Sequence, residues 1–326
     1  MSDHLAAVLI GIVEGLTEFL PVSSTAHIRL TQSLLGIEAE DEFWKMFAIV
    51  IQLGAILAVV GYFLRRLRVL LVDFLQPADS WRERLRHPIS LVTISFIVTA
   101  VPCFLMDKLI GENLENFWII GGALLIGGVV MWWVDARYGD RFHTLTLEGM
   151  NLRQAVGIGA AQILAAAFPG TSRSMATIAA GQLAGLSRPL ALEFSFFLSI
   201  PVMFAATGYK LAQYVFEQPA GLTSHQAGVL AIGFVVSFVV ALVVIAALMA
   251  WVRRRGFVPF AIYRIAAGAV VLAFASQLID GAGTAVDTSS GQGVTDAAIV
   301  EPPHRISGTP DRFGSTATAF ATDPKG

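Results

Sequence analysis

Six stretches of about twenty predominantly apolar residues run through this 326-residue chain, and they restrict its fold more than any other feature. They cover residues 43–64, 90–110, 117–134, 190–213, 228–251 and 258–279. A helix needs about 20 apolar residues to cross the hydrocarbon core of a bilayer. Charged residues make up 14% of the chain, against about 25% in a typical soluble domain. The sequence therefore predicts an all-α polytopic membrane protein with six transmembrane helices.

Two further apolar segments, residues 5–35 and 152–186, are too long for one membrane helix and are interrupted near their middle. Pro21 and Pro169 each precede a run of hydroxyl residues. Proline removes a helical donor, and Ser and Thr favour caps and turns. We therefore predict two re-entrant helical hairpins. Irregular backbone at membrane depth is stable only inside protein or beside a polar cavity, so both hairpin tips are candidate sites.

Basic residues are distributed unevenly between the two faces that this layout creates. One face carries thirteen arginines, at positions 65, 66, 68, 82, 84, 86, 137, 141, 153, 188, 253, 254 and 255. The other carries Arg29, Lys45, Lys108 and Lys210 near its span ends. Loops rich in Lys and Arg remain in the cytoplasm. The Arg-rich loops are therefore predicted to be cytoplasmic, with the N-terminus outside.

The second half of the chain repeats features of the first half in the same order. Superimposing the two hairpin prolines matches Glu14 with Gln162, Ser23 with Thr171 and Ser24 with Ser172. Because the hairpins enter from opposite faces, the sequence predicts an inverted-topology repeat. Residues 1–150 form the first repeat and residues 151–280 the second. Residues 281–326 are predicted to be a disordered polar tail, because they contain few apolar residues.

The first predicted tip carries two carboxylates within an apolar segment. Glu14 and Glu18 are four residues apart, so they lie on one face of a helix. Two carboxylates so close together in a buried site need a proton, an arginine or a metal ion. The alternative for both is a capping or interhelical hydrogen-bonding role.

Hydroxyl groups follow the first proline and begin the next predicted helix. Ser23, Ser24 and Thr25 stand where the free amides of a helix N-terminus can bind an anion, so they are candidate substrate ligands. His27 is one turn beyond Ser24, within reach for proton transfer. Simple helix capping is the alternative for the hydroxyls.

The second predicted tip presents a guanidinium among hydroxyls. Arg173 lies between Ser172 and Ser174, and Thr177 follows one turn later. An arginine at membrane depth binds an anion or pairs with a carboxylate, and pairing with Glu14 or Glu18 is the structural alternative. Weaker candidates, which equally suit helix contacts or interfacial anchoring, are Gln52, Glu193, Tyr263 and Arg264.

Together these groups predict a site for phosphoryl transfer. One arginine cannot offset two carboxylates and a diphosphate, so the charges require a divalent cation. Mg²⁺ or Ca²⁺ suits a set of oxygen ligands. The formal net charge of -2 shows no basic excess, so a nucleic-acid partner is not expected.

The chain resembles the undecaprenyl-diphosphate phosphatase family, the membrane enzymes known as bacitracin-resistance proteins. The resemblance covers residues 5 to 279 and is carried by the segments 14–27, 51–60, 169–177 and 259–264. It implies an inverted repeat with two re-entrant hairpins. It also implies hydrolysis of a C55 polyprenyl diphosphate lipid to the monophosphate and inorganic phosphate. The location it implies is the bacterial inner (plasma) membrane, with the active site facing the periplasm.

The resemblance also implies a role for each candidate residue. Glu14 and Glu18 would hold the metal-bound diphosphate, Ser24 would be the nucleophile and Arg173 the phosphate clamp. His27 would act as acid and base or, in a rival proposal, attack phosphorus itself. The polar lining would be completed by Ser23, Ser172, Ser174 and Thr177.

Two positions depart from the family pattern. Ala26 and Met175 stand where the family usually has Gly. Glycine at a tip lets the backbone come close to a phosphate. The Met175 side chain is therefore expected to reduce the space for a phosphate at this tip.

Two other functions compete with the phosphatase interpretation. A lipid-carrier flippase or other transporter would share the repeat architecture, and release of inorganic phosphate would separate it from an enzyme. The histidine-nucleophile lipid phosphatases need a histidine soon after the arginine, whereas the next one here is His225. The oligomeric state, including a homo-oligomer, is left open.

Overall fold

The computed structural model describes residues 2–38, 41–78, 80–106, 116–217 and 221–287, and these residues are folded mainly as helices. In chain order the α-helices are α1 Asp3–Thr17, α2 Ser24–Leu34, α3 Glu42–Tyr62, α4 Leu64–Leu75, α5 Trp81–Arg86, α6 Pro88–Leu105, α7 Phe117–Tyr138, α8 Leu152–Ala167, α9 Arg173–Leu183, α10 Arg188–Glu217, α11 Ser224–Val252 and α12 Val258–Asp287. A short 3₁₀ turn, Leu147–Gly149, precedes α8. The predicted all-α fold class is confirmed.

Six of these helices, α3, α6, α7, α10, α11 and α12, are long and apolar enough to cross a membrane. They occupy the six predicted stretches, so this prediction is confirmed. Several begin where a polar side chain accepts hydrogen bonds from free backbone amides, as Asp41, Asn116 and Thr223 do for α3, α7 and α11.

Three boundaries differ from the sequence prediction or cannot be compared with it. The last helix continues past residue 280 to Asp287, so it includes residues 281–287 of the predicted tail. Residues 288–326, predicted to be disordered, lie outside the described residues, as do residues 107–110 of the second predicted stretch.

Helices α4 and α5 occupy an arginine-rich region that the sequence analysis treated only as a charged loop. Phe63, at φ -96° and ψ 11°, ends α3 and α4 follows directly. Leu70 is the buried residue of α4, whereas Leu71 and Leu75 are exposed. The spacing of arginines and leucines is that of an amphipathic helix, a signal the span analysis overlooked because α4 is too short to cross a bilayer.

Both predicted hairpins contain a break between two helices. The first hairpin consists of α1 and α2, separated by the first tip, residues 18–23. The second consists of α8 and α9, separated by the second tip, residues 168–172. Pro21 and Pro169 lie inside these breaks, where the sequence analysis placed them.

The leading helix of each hairpin packs closely on a membrane-spanning helix. A Cβ added at Gly15 of α1 would lie 2.8 Å from the Ser237 carbonyl of α11, and one at Gly159 of α8 would lie 2.5 Å from the Ser95 carbonyl of α6. Thr99 of α6 also donates a 2.8 Å hydrogen bond to the Gly159 carbonyl. Small residues allow this approach in membrane helices, where close packing drives association. The two tips are thereby held on the spans that surround them.

Candidate active site

The start of α9, just after the second tip, contacts the first tip directly. Arg173 Nη2 donates a hydrogen bond to Glu18 Oε1 at 3.3 Å, across 155 residues of sequence. Ser174 Oγ donates to the Leu20 carbonyl of the first tip at 3.0 Å. The carboxylate of one hairpin and the guanidinium of the other therefore belong to a single site.

Glu18 also binds the hydroxyl at the start of α2. Ser24 Oγ donates to Glu18 Oε2 at 2.5 Å, and Glu18 is 7% exposed. A charge-assisted hydrogen bond of this length places the carboxylate where it can accept the hydroxyl proton. Glu18 thus uses one oxygen for Ser24 and the other for Arg173.

Arg173 has bonding capacity left over. Its Nη1 donates to the Ser195 carbonyl of α10 at 3.2 Å, and its guanidinium carbon lies 5.8 Å from the centre of the Phe19 ring. Its Nε has no hydrogen-bond partner among the described residues. Because a guanidinium has five N–H donors, Arg173 can hold an anion while keeping these contacts.

Glu14 occupies a more enclosed position than Glu18. It is 0% exposed, and in the described part of the chain neither of its carboxylate oxygens has a hydrogen-bond partner. An ionised carboxylate without partners is unstable in such a place, so Glu14 requires a proton or a cation.

A cavity of about 490 Å³ opens beside the two tips. Its polar wall includes Glu18, Ser23, Ser24, Thr25, Ser172 and Arg173, and its apolar wall includes Phe96, Ala100, Phe104, Ala165, Val202 and Met203. A second cavity, of about 430 Å³, shares Ser24, Thr25, Gln52 and Lys210 with it. Such a cavity suits a ligand with an anionic end and an apolar body.

Each tip ends in a serine with a left-handed backbone. Ser23 has a φ of 75° and Ser172 a φ of 70°. Non-glycine residues seldom adopt this conformation, and such strain is concentrated at functional sites. Both serines immediately precede a helix and line the cavity, so the strained turns place a hydroxyl at its wall.

His27 lies close to Ser24 in sequence, but its ring is directed elsewhere. Its Nδ1 is 2.7 Å from the Ser23 carbonyl and its Nε2 is 2.6 Å from the Tyr263 hydroxyl. A carbonyl can only accept, so Nδ1 carries a proton, and in a neutral ring Nε2 accepts from Tyr263. The predicted proton transfer from Ser24 to His27 therefore does not match this arrangement, in which Ser24 donates to Glu18.

Arg264, a weaker candidate in the sequence analysis, joins the two tips. It is 0% exposed and donates to the Pro21 carbonyl at 3.3 Å, the Gly170 carbonyl at 3.0 Å and the Ala123 carbonyl at 3.1 Å. In the part of the chain that the structure describes, no carboxylate lies within ion-pair distance of it. An isolated arginine in an apolar span was the available signal, but its partners are backbone groups that sequence cannot identify.

Glycine makes the contacts of Arg264 possible. Gly170 has a φ of +94°, and a Cβ there would overlap the Ile120 carbonyl. A Cβ at Gly127 of α7 would overlap Arg264 Nη2 and lie 2.8 Å from Met175 Cε. Any larger residue at either position would displace the guanidinium or the second tip.

The two departures from the family pattern lie outside the cavity wall. Met175 is 4% exposed and faces α7 beside Gly127. Ala26 is 6% exposed and packs in an apolar cluster with Ile120 and Leu124. The expectation that Met175 narrows the phosphate approach is therefore wrong, because its side chain turns away from the cavity.

Two of the predicted lining residues support the site without facing it. Ser174 is 1% exposed and binds the first tip. Thr177 is 0% exposed, and its hydroxyl lies 2.7 Å from Ser195 Oγ. Of the predicted hydroxyl residues, Ser23, Thr25 and Ser172 do line the cavity. Ser174 and Thr177 are placed to hold the second hairpin rather than a ligand.

Comparison with known proteins identifies the family of this chain. The family model described as bacitracin resistance protein BacA matches residues 7–270. An undecaprenyl-diphosphatase of Koribacter versatilis (strain Ellin345) is 53% identical over 283 residues, which are 84% of this chain and 99% of the relative. One from Bradyrhizobium sp. (strain BTAi1) is 43% identical and one from Campylobacter jejuni subsp. jejuni (strain 81-176) is 40% identical. These matches cover 83% and 82% of this chain, and 97% and 93% of the relatives.

Proposed function

This chain belongs to the bacitracin resistance protein BacA family, and we propose that the cavity between its two tips is where it hydrolyses undecaprenyl diphosphate. The products are undecaprenyl phosphate and inorganic phosphate. The observation that carries the proposal is that the two oxygens of Glu18 bind the Ser24 hydroxyl and the Arg173 guanidinium. A base, a nucleophile and an anion ligand thus meet at one cavity.

Ser24 is the group best placed to attack. Its oxygen forms a bond to the terminal phosphorus, its proton passes to Glu18 Oε2, and the bond from that phosphorus to the bridging oxygen breaks. Undecaprenyl phosphate leaves with the electron pair of that bond. Once undecaprenyl phosphate has left, Glu18 loses the accepted proton to solvent. Water then attacks the phosphoserine phosphorus and gives a proton to Glu18, while the bond from phosphorus to Ser24 Oγ breaks. Glu18 returns that proton to Oγ, and inorganic phosphate is released.

Arg173 serves as the phosphate clamp. A guanidinium binds phosphate through two parallel hydrogen bonds. Each Nη of Arg173 carries two N–H groups, so a second donor remains on each beyond the bonds to Ser195 and Glu18. The contact with the Phe19 ring and the bond to the Ser195 carbonyl hold the group at the cavity wall. Ser23, Thr25 and Ser172 add hydroxyls to the same wall.

His27 keeps a place in the proposal as a supporting residue. Both ring nitrogens are engaged, one by the Ser23 carbonyl and one by Tyr263. These bonds favour a role in holding the strained turn before Ser24 over a direct attack on phosphorus. Transfer of a proton through His27 would first require that Tyr263 move away.

A divalent cation fits Glu14 and Glu18. The two unpartnered oxygens of Glu14 are hard ligands that need a positive charge. Among the described residues no group of three His, Cys, Asp or Glu side chains could hold a metal, so the other ligands would be phosphate oxygens and water, as is usual for Mg²⁺. When bound, such a cation neutralises phosphate charge during transfer.

The membrane arrangement is part of the same proposal. The hairpins are alike in construction, with leading helices of 15 and 16 residues, second helices of 11, and a left-handed serine before each second helix. This likeness supports an inverted repeat with two re-entrant hairpins. The arginine-rich loops support a cytoplasmic location for that face, with the cavity open to the periplasm of the bacterial inner membrane.

The test of the nucleophile is a rapid acid quench of purified protein mixed with undecaprenyl diphosphate labelled in its terminal phosphate. We expect labelled phosphate on Ser24 and, in steady state, release of inorganic phosphate. Ser24→Ala should lower kcat by on the order of 10⁴-fold, whereas Ser33→Ala, on the exposed side of α2, serves as the matched control. Label on His27, or full activity of Ser24→Ala, would exclude this mechanism.

The test of the cation uses a chelator and a thermal melt. Activity should disappear in EDTA and return with Mg²⁺ or Ca²⁺, and either ion should raise the Tm because it binds only the folded state. Glu14→Gln should lose this rise in Tm, while Glu148→Gln, at an exposed ion pair with Arg66, should keep it. Full activity in EDTA would refute the role of the cation.

A further inference from the structure

Gln162 on α8 is a buried amide with neither of its hydrogen-bonding groups satisfied. It is 3% exposed, and both Nε2 and Oε1 are without partners among the described residues. Burial of an unsatisfied amide is unfavourable, because the hydrogen bonds it made to water are lost. Such a group in a native structure calls for a partner that binds there.

The position of Gln162 indicates what that partner is. Its side chain borders the 490 Å³ cavity together with Ser172 and Arg173. The other residues that α8 contributes to this wall are Ala165 and Ala166, which have no polar side-chain atoms. On this helix Gln162 is therefore the side chain able to bind a polar ligand in the cavity.

The first hairpin has a carboxylate in the corresponding place. Glu14 precedes Pro21 by the same interval as Gln162 precedes Pro169, and both side chains are buried without partners. The carboxylate attracts a cation, whereas an amide NH₂ donates to an anion. A third carboxylate at position 162 would repel a diphosphate in a cavity that already contains Glu18.

We infer that Gln162 is a substrate-binding residue that donates from Nε2 to a phosphoryl oxygen of the diphosphate. Its Oε1 then accepts from water that accompanies the headgroup. This inference rests on the proposed function and deepens it: Glu14 marks the cation side of the headgroup and Gln162, with Arg173, the phosphate side.

The experiment compares Gln162→Leu, a change of similar size, with wild-type protein. We expect KM for undecaprenyl diphosphate to rise about 10-fold, and the inhibition constant of inorganic diphosphate to rise by a similar factor. The Tm should be unchanged or higher, because an unsatisfied amide has been replaced by an apolar group. A purely structural Gln162 predicts the opposite, a lower Tm with unchanged KM and inhibition constant, and that result would overturn the inference.

Two further variants keep the test decisive. Gln162→Glu should raise KM and the inhibition constant more than Gln162→Leu does, because the new carboxylate repels phosphate. Ser237→Ala removes a buried hydroxyl that, like the Gln162 amide, has no partner among the described residues. Ser237 lies on α11, away from this cavity wall, so this variant should leave both constants unchanged. If KM rises without any change in the inhibition constant, Gln162 contacts the lipid and the inference is wrong.

The proposed function and this inference can be refuted independently of each other. Wild-type protein that releases no phosphate would refute the proposed function, whatever the Gln162 variants do. Active wild-type protein with an unaffected Gln162→Leu would refute this inference alone.

Discussion

The two hairpins are alike in construction and opposite in chemistry. Each connects a leading helix to an 11-residue helix through a proline-containing turn and a left-handed serine. The first hairpin offers a carboxylate and a hydroxyl, on Glu18 and Ser24, whereas the second offers the guanidinium of Arg173. Neither hairpin has all three groups. Two hairpins of similar construction thus provide the geometry of one site, and a few side-chain differences divide its chemical groups between them.

The site is complete only because the two hairpins are in contact. The two carboxylate oxygens of Glu18 make this contact, because one binds Ser24 of the same hairpin and the other binds Arg173 of the second hairpin. Arg264 binds carbonyls of both tips and of α7. Three predictions, taken from the largest expected effect to the smallest, test the clamp, the connection between the tips, and the support of the first tip.

Arg173→Lys tests whether the second tip supplies a fork of donors or only a charge. Lysine keeps the positive charge but loses the paired N–H groups that bind phosphate. We expect kcat/KM to fall about 10²- to 10³-fold, measured as phosphate release at matched protein concentration. Arg68→Lys, at an exposed arginine, is the control. Wild-type rates for Arg173→Lys would mean that the guanidinium has only a structural role.

Arg264→Met tests the connection between the tips. It removes three hydrogen bonds to buried carbonyls, so we expect a loss of about 3 kcal/mol of stability at about 1 kcal/mol for each bond, seen as a lower Tm in detergent. Displacement of Arg173 from Glu18 should lower kcat about 10²-fold, since small misplacements are costly. Exposed Arg153→Met is the control. Unchanged kcat would show that the tips hold their spacing without Arg264.

Tyr263→Phe tests the support of the first tip. It removes the 2.6 Å hydrogen bond to His27 Nε2 but keeps a ring to stack on the imidazole, whose centre lies 5.7 Å away. A hydrogen bond contributes about 1 kcal/mol, so we expect kcat to fall only about 2- to 10-fold. A 100-fold fall, with His27→Gln equally impaired, would instead give the His27 and Tyr263 pair a direct part in proton transfer.

Much of the architecture could be predicted from the sequence because it depends on local properties. A run of about twenty apolar residues predicts a span wherever it occurs, and the six predicted stretches correspond to six helices. The breaks at Pro21 and Pro169 follow from the missing amide of proline. The inclusion of Glu18 and Arg173 among the candidates follows from the cost of charge in an apolar segment.

Where the sequence analysis was wrong, it was wrong about the direction in which a side chain points. His27 is one turn from Ser24, and that spacing indicated a contact, but its ring binds the Ser23 carbonyl and Tyr263. Met175 was expected at the phosphate approach and instead packs beside Gly127. A difference of one position on a helix turns a side chain by about 100°, so such choices depend on which helix lies opposite.

By itself the sequence determined that this protein is a helical membrane protein with two broken segments rich in hydroxyls, because apolar length and proline act on the chain locally. Only the tertiary structure decided that Glu18 binds both Ser24 and Arg173, that Arg264 joins the tips and that Gln162 faces the cavity. These arrangements depend on backbone carbonyls and cavities formed by residues far apart in the chain, and such groups exist as partners only after the helices have packed.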